Sequence, residues 1–253
     1  MTISLKKLSM LMLGMLILCS CDSRGLANPT KGVHQASIDW VDFVKLQDNQ
    51  YQGLYNAVIG DPSLVTEKVV GEVEFNVAKT VTNPSYRIQP GDASYLDIGI
   101  KLYEVEGFEP NELIAAADEY SINGYRLYSS DDHRDKMTRI YFDDIAKHEM
   151  KKIEWYDIES RELAVSLDAE ESKKLIEKLL AGTPKDDYIP PQTCLEPTNY
   201  QVVFYSGDPL GYFFTLVDDG EQLLFHSGDA IRLIDDSIRD WLQLPQQVDC
   251  GVE

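Results

Sequence analysis

The sequence predicts an α+β fold: a mostly-β N-terminal region, built as a small barrel or sandwich, followed by a small α+β domain with an antiparallel sheet and two helices. Three observations predict it. From residue 38 to about 148, short runs of β-branched and aromatic residues alternate with Gly, Pro, Asn and Asp, the pattern of many short strands. From residue 149 onward the order becomes two strands, a helix, three strands and a helix, with one strongly amphipathic helical stripe. The chain has 253 residues, which allows a sizeable core.

Residues 1–20 read as a signal peptide. Lys6 and Lys7 precede an apolar run from Leu8 to Leu18, within the span of about 7–15 residues expected of such a segment. The run is too short for the ~20 residues that span a bilayer as a helix. Leu18-Cys19-Ser20-Cys21 resembles the lipobox of bacterial lipoproteins, with small Ser20 before the cysteine. The resemblance implies a diacylglyceryl group on Cys21, a palmitate-type membrane anchor, and an extracytoplasmic body. Two acyl chains anchor stably where one does not. Residues 21–37 carry Gly25, Asn28-Pro29 and Lys31-Gly32 and few large apolar residues, a composition suited to a tether.

The mostly-β region opens with Ile38 to Val44 and Gln50 to Val58. Asp61-Pro62 reads as a capped single helical turn. Val69, Gly71, Val73, Phe75 and Val77 alternate with Glu72, Glu74 and Asn76, which predicts one half-buried strand over 69–78. Asn83-Pro84 and Pro90-Gly91-Asp92 mark loops. Ile100 to Val105, Glu112 to Ala117 and Gly124 to Tyr128 are three further strands, and Ser129 to Asp135 reads as a polar loop. In the second region, Ile153 to Asp157 and Glu162 to Leu167 form a hairpin around Glu159-Ser160. Asp168 caps a helix whose first turn holds Glu170 and Glu171, where the helix dipole favours acids. Leu175, Ile176, Leu179 and Leu180 are its apolar stripe, and Gly182 with Pro184 stops it. A Pro-rich connection follows over 185–199. Gln201 to Tyr205, Leu210 to Val217 and Gln222 to His226 are a meander with its last turn at Asp218-Asp219-Gly220. Ala230 to Ile234 is a further strand candidate, and Ser237 to Leu242 is a closing helix.

The chain holds 43 acidic and 23 basic residues, a formal charge of −20. That excludes a nucleic-acid partner, which needs clustered Lys and Arg, and it opposes lying flat on anionic lipid. A solvated, self-repelling surface is the simple reading of so many acids. Besides the lipobox, the cysteines are Cys194 and Cys250. They are a disulfide candidate worth roughly 4 kcal/mol in the chain-entropy model, with separate free thiols as the alternative.

No catalytic residue stands out. The four histidines, His34, His133, His148 and His226, have no ligand spacing, and no metalloprotease, nucleophile-elbow, dinucleotide or P-loop motif is present. No cofactor is implied. The sequence points to no definite metal site. Asp131, Asp132 and Asp135 are a weak calcium candidate, because calcium needs several converging oxygens and adjacent Asp residues more often bend turns. Aromatic side chains on strands mostly belong to the core. Tyr86, Tyr95 and Phe108 sit in or near loops and are the candidates for a binding surface, where a flat apolar face with a polar tip suits recognition.

Gly71-Glu72-Val73-Glu74-Phe75, Asn83-Pro84-Ser85-Tyr86, Gly91-Asp92-Ala93, Tyr103-Glu104-Val105-Glu106-Gly107-Phe108, Leu113-Ile114-Ala115-Ala116 and Leu127-Tyr128 resemble an uncharacterised secreted family of Bacillus-like bacteria. The resemblance covers roughly residues 38–151. It implies a stable extracytoplasmic module and brings no activity and no catalytic residue. The expectation is a lipid-anchored protein on the extracytoplasmic side of the cell membrane, a binding or scaffolding module without enzymatic activity. Its partner would be an envelope protein, peptide or glycan. The alternatives are an envelope hydrolase acting on wall polymer or protein, and a calcium-dependent binding protein.

Overall fold

A computed structural model describes residues 38–186, 188, 196–228 and 230–244. The signal peptide, the tether, the lipidation candidate Cys21 and the disulfide candidate Cys194–Cys250 lie outside the described residues. The fold is α+β: two sheets, largely antiparallel, with short helices.

The first sheet has eight strands: β1 (Phe43–Leu46), β2 (Asn49–Gly53), β4 (Val65–Glu72), β5 (Phe75–Asn76), β6 (Asp92–Ala93), β7 (Lys101–Val105), β8 (Leu113–Ala117) and β9 (Tyr125–Ser130). Their order is β4-β7-β8-β9-β2-β1-β6-β5, and only β5 and β6 run parallel. The edge strands β4 and β5 are consecutive pieces of one stretch of chain, separated by Val73 and Glu74. Val73 N–H donates to the Ile100 carbonyl on one side, and Glu74 N–H donates to the Gly91 carbonyl on the other. The sheet therefore curls until its two edges meet in the backbone of residues 65–76.

Burial follows from the curl. Val44, Tyr51, Val73, Leu102, Ile114 and Tyr128 fill the inside. On β8 the alternate residues Leu113 and Ala115 face the other way and join a second cluster with Ile59 and Leu210. So β8 is buried on both faces and reads as the continuous apolar run Leu113-Ile114-Ala115-Ala116.

The second sheet runs β11 (Leu163–Leu167), β10 (Lys152–Asp157), β13 (Thr198–Tyr205), β14 (Leu210–Asp218), β15 (Leu223–His226), β16 (Ile231–Ile234) and β12 (Thr183–Lys185). Its eighth strand comes from the first region. β3 (Ala57–Ile59) pairs with Leu210–Tyr212 of β14, and β15 pairs further along with Thr215–Asp218. The described residues from 38 onward accordingly group as one compact unit.

Helices cover this sheet. α4 (Ala169–Leu180) is closed by a capping box in which Asp168 and Glu171 each satisfy the other's backbone N–H. Leu175, Ile176 and Leu179 pack on Trp155, Phe204, Phe225 and Ile238 of the largest core cluster. α5 (Ser237–Leu242) is held by a two-pronged contact: Arg239 Nε and Nη2 donate to the two Asp218 carboxylate oxygens at 3.0 and 2.7 Å.

Several expectations need correction. The strand over 69–78 does not form as one element. β4 slips its register against β7 on both sides of Val69, which leaves Val69 44% exposed, and it ends at Glu72. Val77 starts a helical turn, α1 (Val77–Thr80), capped by buried Asn76, whose amide also donates to the Leu96 carbonyl. The polar loop over 129–135 is shorter than expected: Ser129 and Ser130 complete β9, and α2 (Arg134–Thr138) follows, anchored by buried Met137. A further turn, α3 (Phe142–Ile145), places Phe142 at the centre of a ring cluster with Phe204, Phe214 and Phe225. Finally, Pro184 stops α4 but then lies in β12, and Leu180 is 43% exposed. β12 is an edge strand, where a missing N–H is tolerated.

Candidate functional site

The most unusual polar group in the described chain is Asp42. It immediately precedes β1 and is 4% exposed. The chain forces it inward because Phe43 and Val44 are both fully buried, and the Asp42 carbonyl accepts from Gly53 N–H as the ladder between β1 and β2 begins. Its Oδ1 accepts from the Tyr128 hydroxyl at 3.1 Å. Its Oδ2 has no hydrogen bond of normal geometry; the nearest cation is Arg126 Nη1 at 3.6 Å. Arg126 is shared, with Nε 3.9 Å from Asp118 Oδ2.

Burial raises the Asp42 carboxyl above its ordinary value of 3.8, opposed by Arg126 and by the Tyr128 and Tyr55 hydroxyls. Burial likewise pushes the Tyr55 hydroxyl up to about 12, with the Asp42 charge adding to it. Tyr128 moves upward for the same reasons. A buried carboxyl, an arginine and two tyrosines perturb one another's protonation here, a pattern found at functional sites and in structural ion-pair networks alike.

Two cavities flank this cluster and share Tyr55. The smaller holds about 320 Å³ and is lined by Trp40, Asp42, Gln52, Gly53, Tyr95 and Arg134 among others. The larger holds about 490 Å³ and lies between the two sheets, with Tyr120, Tyr125, Arg126, Tyr156, Arg161 and Phe213 in its wall. Arg161 stands at the turn of the β10–β11 hairpin with its guanidinium 4.7 Å from the centre of the Tyr120 ring. In the smaller cavity the Tyr95 hydroxyl donates to the Trp40 carbonyl at 2.6 Å and fixes the chain just before Asp42. Arg134, the first residue of α2, brings a buried Nε that also lacks a partner.

Of the three aromatic residues singled out from the sequence, only Tyr95 lines one of these cavities. Tyr86 donates to Asp92 Oδ2 at 2.9 Å and rests on Phe75, and Phe108 packs against the core cluster of Leu113 and Leu210. The calcium candidates are spread apart in their bonding. Asp131 Oδ1 accepts from Gln52 Nε2, Asp135 pairs with Arg139, and Asp132 is exposed. Among the described residues no three His, Cys, Asp or Glu side chains converge as a metal-holding group. No described helix is long and apolar enough to cross a membrane.

One arrangement has the composition of a nucleophilic triad. Ser130 Oγ and His133 Nδ1 lie 3.0 Å apart, and His133 Nε2 is 3.3 Å from Glu112 Oε1. Ser130 is 4% exposed and lines neither cavity, so its hydroxyl has no approach from either.

Asp42, Arg126 and Arg134 were not singled out from the sequence. The available signal was one acid inside the apolar run Trp40-Val41-Asp42-Phe43-Val44. An acid there must be either exposed by alternation or buried at a cost, and its neighbours decide which. Comparison of the chain with protein-family models, curated proteins and solved structures finds no significant match to any of them.

Proposed function

We propose that this protein is a lipid-anchored binding module on the extracytoplasmic side of the cell membrane, with its ligand held in the paired cavities at Tyr55. The anchor rests on the lipobox resemblance at Cys21. The binding reading is carried by one observation: two cavities with aromatic side chains in their walls share Tyr55, with the buried Asp42 in the wall of one. Concave sites walled by aromatic side chains with a few polar groups are the usual form of a ligand pocket. The strong acidity keeps the body clear of anionic polymers and directs recognition to the cavities.

The test is co-sedimentation of the full chain with purified insoluble cell-wall polymer. Retention that is lost in Asp42→Asn supports the reading, and retention that ignores the substitution removes it. For the anchor, a clickable fatty acid fed to cells should label the protein, and Cys21→Ala should abolish labelling and release the protein from membranes.

The hydrolase reading has one observation in its favour, the Ser130–His133–Glu112 chain of contacts. It requires a fluorophosphonate probe to label Ser130. With the hydroxyl buried, no labelling is the expected result.

A further inference from the structure

The larger cavity already holds a cation of the protein's own. The Arg161 guanidinium stands 4.7 Å from the centre of the Tyr120 ring, and both residues line the wall. Tyr120 is 65% exposed and Arg161 is exposed as well, so the pair is open to solvent. Apart from this ring contact, the Arg161 side chain makes no ion pair and no hydrogen bond among the described residues. Its backbone has a φ of 62°, in the left-handed region that glycine or asparagine enters more readily. The turn does not call for an arginine. What the side chain brings to this position is a guanidinium on Tyr120.

The charges around the pair suit a cation. Glu119 and Asp157 lie in the same wall, and neither makes an ion pair among the described residues. Glu119 is exposed, and one Asp157 oxygen accepts from Ser160 N–H at 2.7 Å. The other arginine of the wall, Arg126, is already answered by Asp42 at 3.6 Å and Asp118 at 3.9 Å. A cation that took the place of Arg161 would therefore meet two acids without partners, and an anion would be opposed by both. Tyr55, 61% exposed, adds further ring surface. A planar guanidinium stacks on such rings, where an ammonium is a hydrated point charge. The volume of about 490 Å³ exceeds what one guanidinium fills and lies within the usual range of ligand sites, which leaves room for the chain that bears it.

From this we propose that the larger cavity binds an arginine side chain of a partner peptide, whose guanidinium replaces that of Arg161 on Tyr120 and lies beside Glu119 and Asp157. Arg161 is then a built-in competitor, held only by an exposed ring contact and displaced at small cost. The proposal rests on the binding-module reading and names the ligand class of its larger cavity. A chain of formal charge −20 also draws such a partner in from a distance.

The test titrates the full chain in detergent, by calorimetry, with a glycine pentapeptide blocked at both ends and carrying one central arginine. The same peptide with lysine or with uncharged citrulline at the centre serves for comparison. The arginine peptide should bind saturably, the lysine peptide more weakly, and the citrulline peptide not at all. Tyr120→Ala should weaken binding about fivefold or more. Arg161→Asn, which suits the left-handed backbone, should strengthen it about threefold or more by removing the competitor. Tyr141→Ala changes an exposed ring that lines neither cavity and should leave binding unchanged. Circular dichroism should show each variant folded.

No saturable binding at millimolar concentration overturns the proposal. So does equal binding of the citrulline peptide, binding that survives Tyr120→Ala, or binding that weakens in Arg161→Asn. The wall-polymer experiment separates this failure from that of the wider reading. If polymer retains the wild type but not Asp42→Asn while the arginine peptide does not bind, the arginine proposal falls and the binding module stands. If neither binds, both fall.

Discussion

The Tyr128 hydroxyl donates to Asp42 Oδ1 at 3.1 Å while Arg126 Nη1 stands 3.6 Å from Oδ2, too far for a good hydrogen bond. The carboxylate is thus bonded by Tyr128 and faced by the Arg126 charge, with the Tyr55 hydroxyl also acting on it. Both features bear on its protonation. Burial holds the folded-state value above the ordinary 3.8. A carboxyl raised on folding binds its proton more tightly in the folded state. Its contribution to stability is complete below the unfolded value and is lost as pH rises through the folded value. Asp42→Asn has no such loss. Thermal melts between pH 4 and 8 should show the variant gaining on the wild type as pH rises, by about 2–4 °C for each kcal/mol in a unit of this size. A wild type that gains on the variant with rising pH would contradict the assignment.

Gly53→Ala tests the space beside that carboxylate. The added Cβ would meet Asp42 Oδ2 at 2.5 Å and its Cγ at 3.1 Å. The backbone of Gly53 is not in the left-handed region, so the cost is purely steric. Crowding of this kind costs about 1–3 kcal/mol. Urea denaturation should show a lower midpoint with an unchanged slope.

Arg239 fixes α5 to the end of β14. Asp218 beside it is 3% exposed, and the guanidinium raises its own proton affinity through that contact while burial opposes. Arg239→Met removes the fork and leaves a buried carboxylate with one fewer charged partner. Breaking a buried pair from one side costs about 3–5 kcal/mol. A calorimetric scan that loses less than about 1 kcal/mol would show that the remaining partners of Asp218 suffice.

The chain from residue 149 onward should not behave as an independent unit. Without β3, the backbone of Leu210–Tyr212 loses its neighbour, and Leu210 loses the core it shares with Ile59 and Leu113. Exposed strand edges pair with other copies. Residues 149–253 expressed alone should melt lower than the full chain and associate with rising concentration in sedimentation. A monomer as stable as the full chain would show that β3 is dispensable.

Much of the fold was legible because local chemistry and tertiary packing agree in it. Asp168 and Glu171 announce α4, Asp61 and Pro62 announce a turn whose first N–H pairs come from Ser63 and Leu64, and the Asp218-Asp219-Gly220 turn caps its own amides. The misreadings occurred where tertiary contacts override period. Val69 to Val77 alternates convincingly, yet two register slips against β7 and the cap at Asn76 break it. β3 reads as the tail of the preceding strand, because nothing in Ala57-Val58-Ile59 reveals that its partner lies some 150 residues later, at Leu210. The site was less legible than the fold. Tyr95 could be found as an aromatic residue in a loop, but Asp42 and Arg134 carry meaning only through the cavity that joins them, and that cavity assembles residues from 39 to 134.

The curl of the first sheet also concentrates two pairings at one point. Val73 exchanges backbone bonds with Gly99 and Ile100 on one side, while Glu74 and Phe75 both donate to the Gly91 carbonyl on the other. These contacts join segments close in sequence, so the seam is a short-range staple. A substitution that disturbs the backbone at Val73 and Glu74 would therefore loosen the pairings on both sides at once.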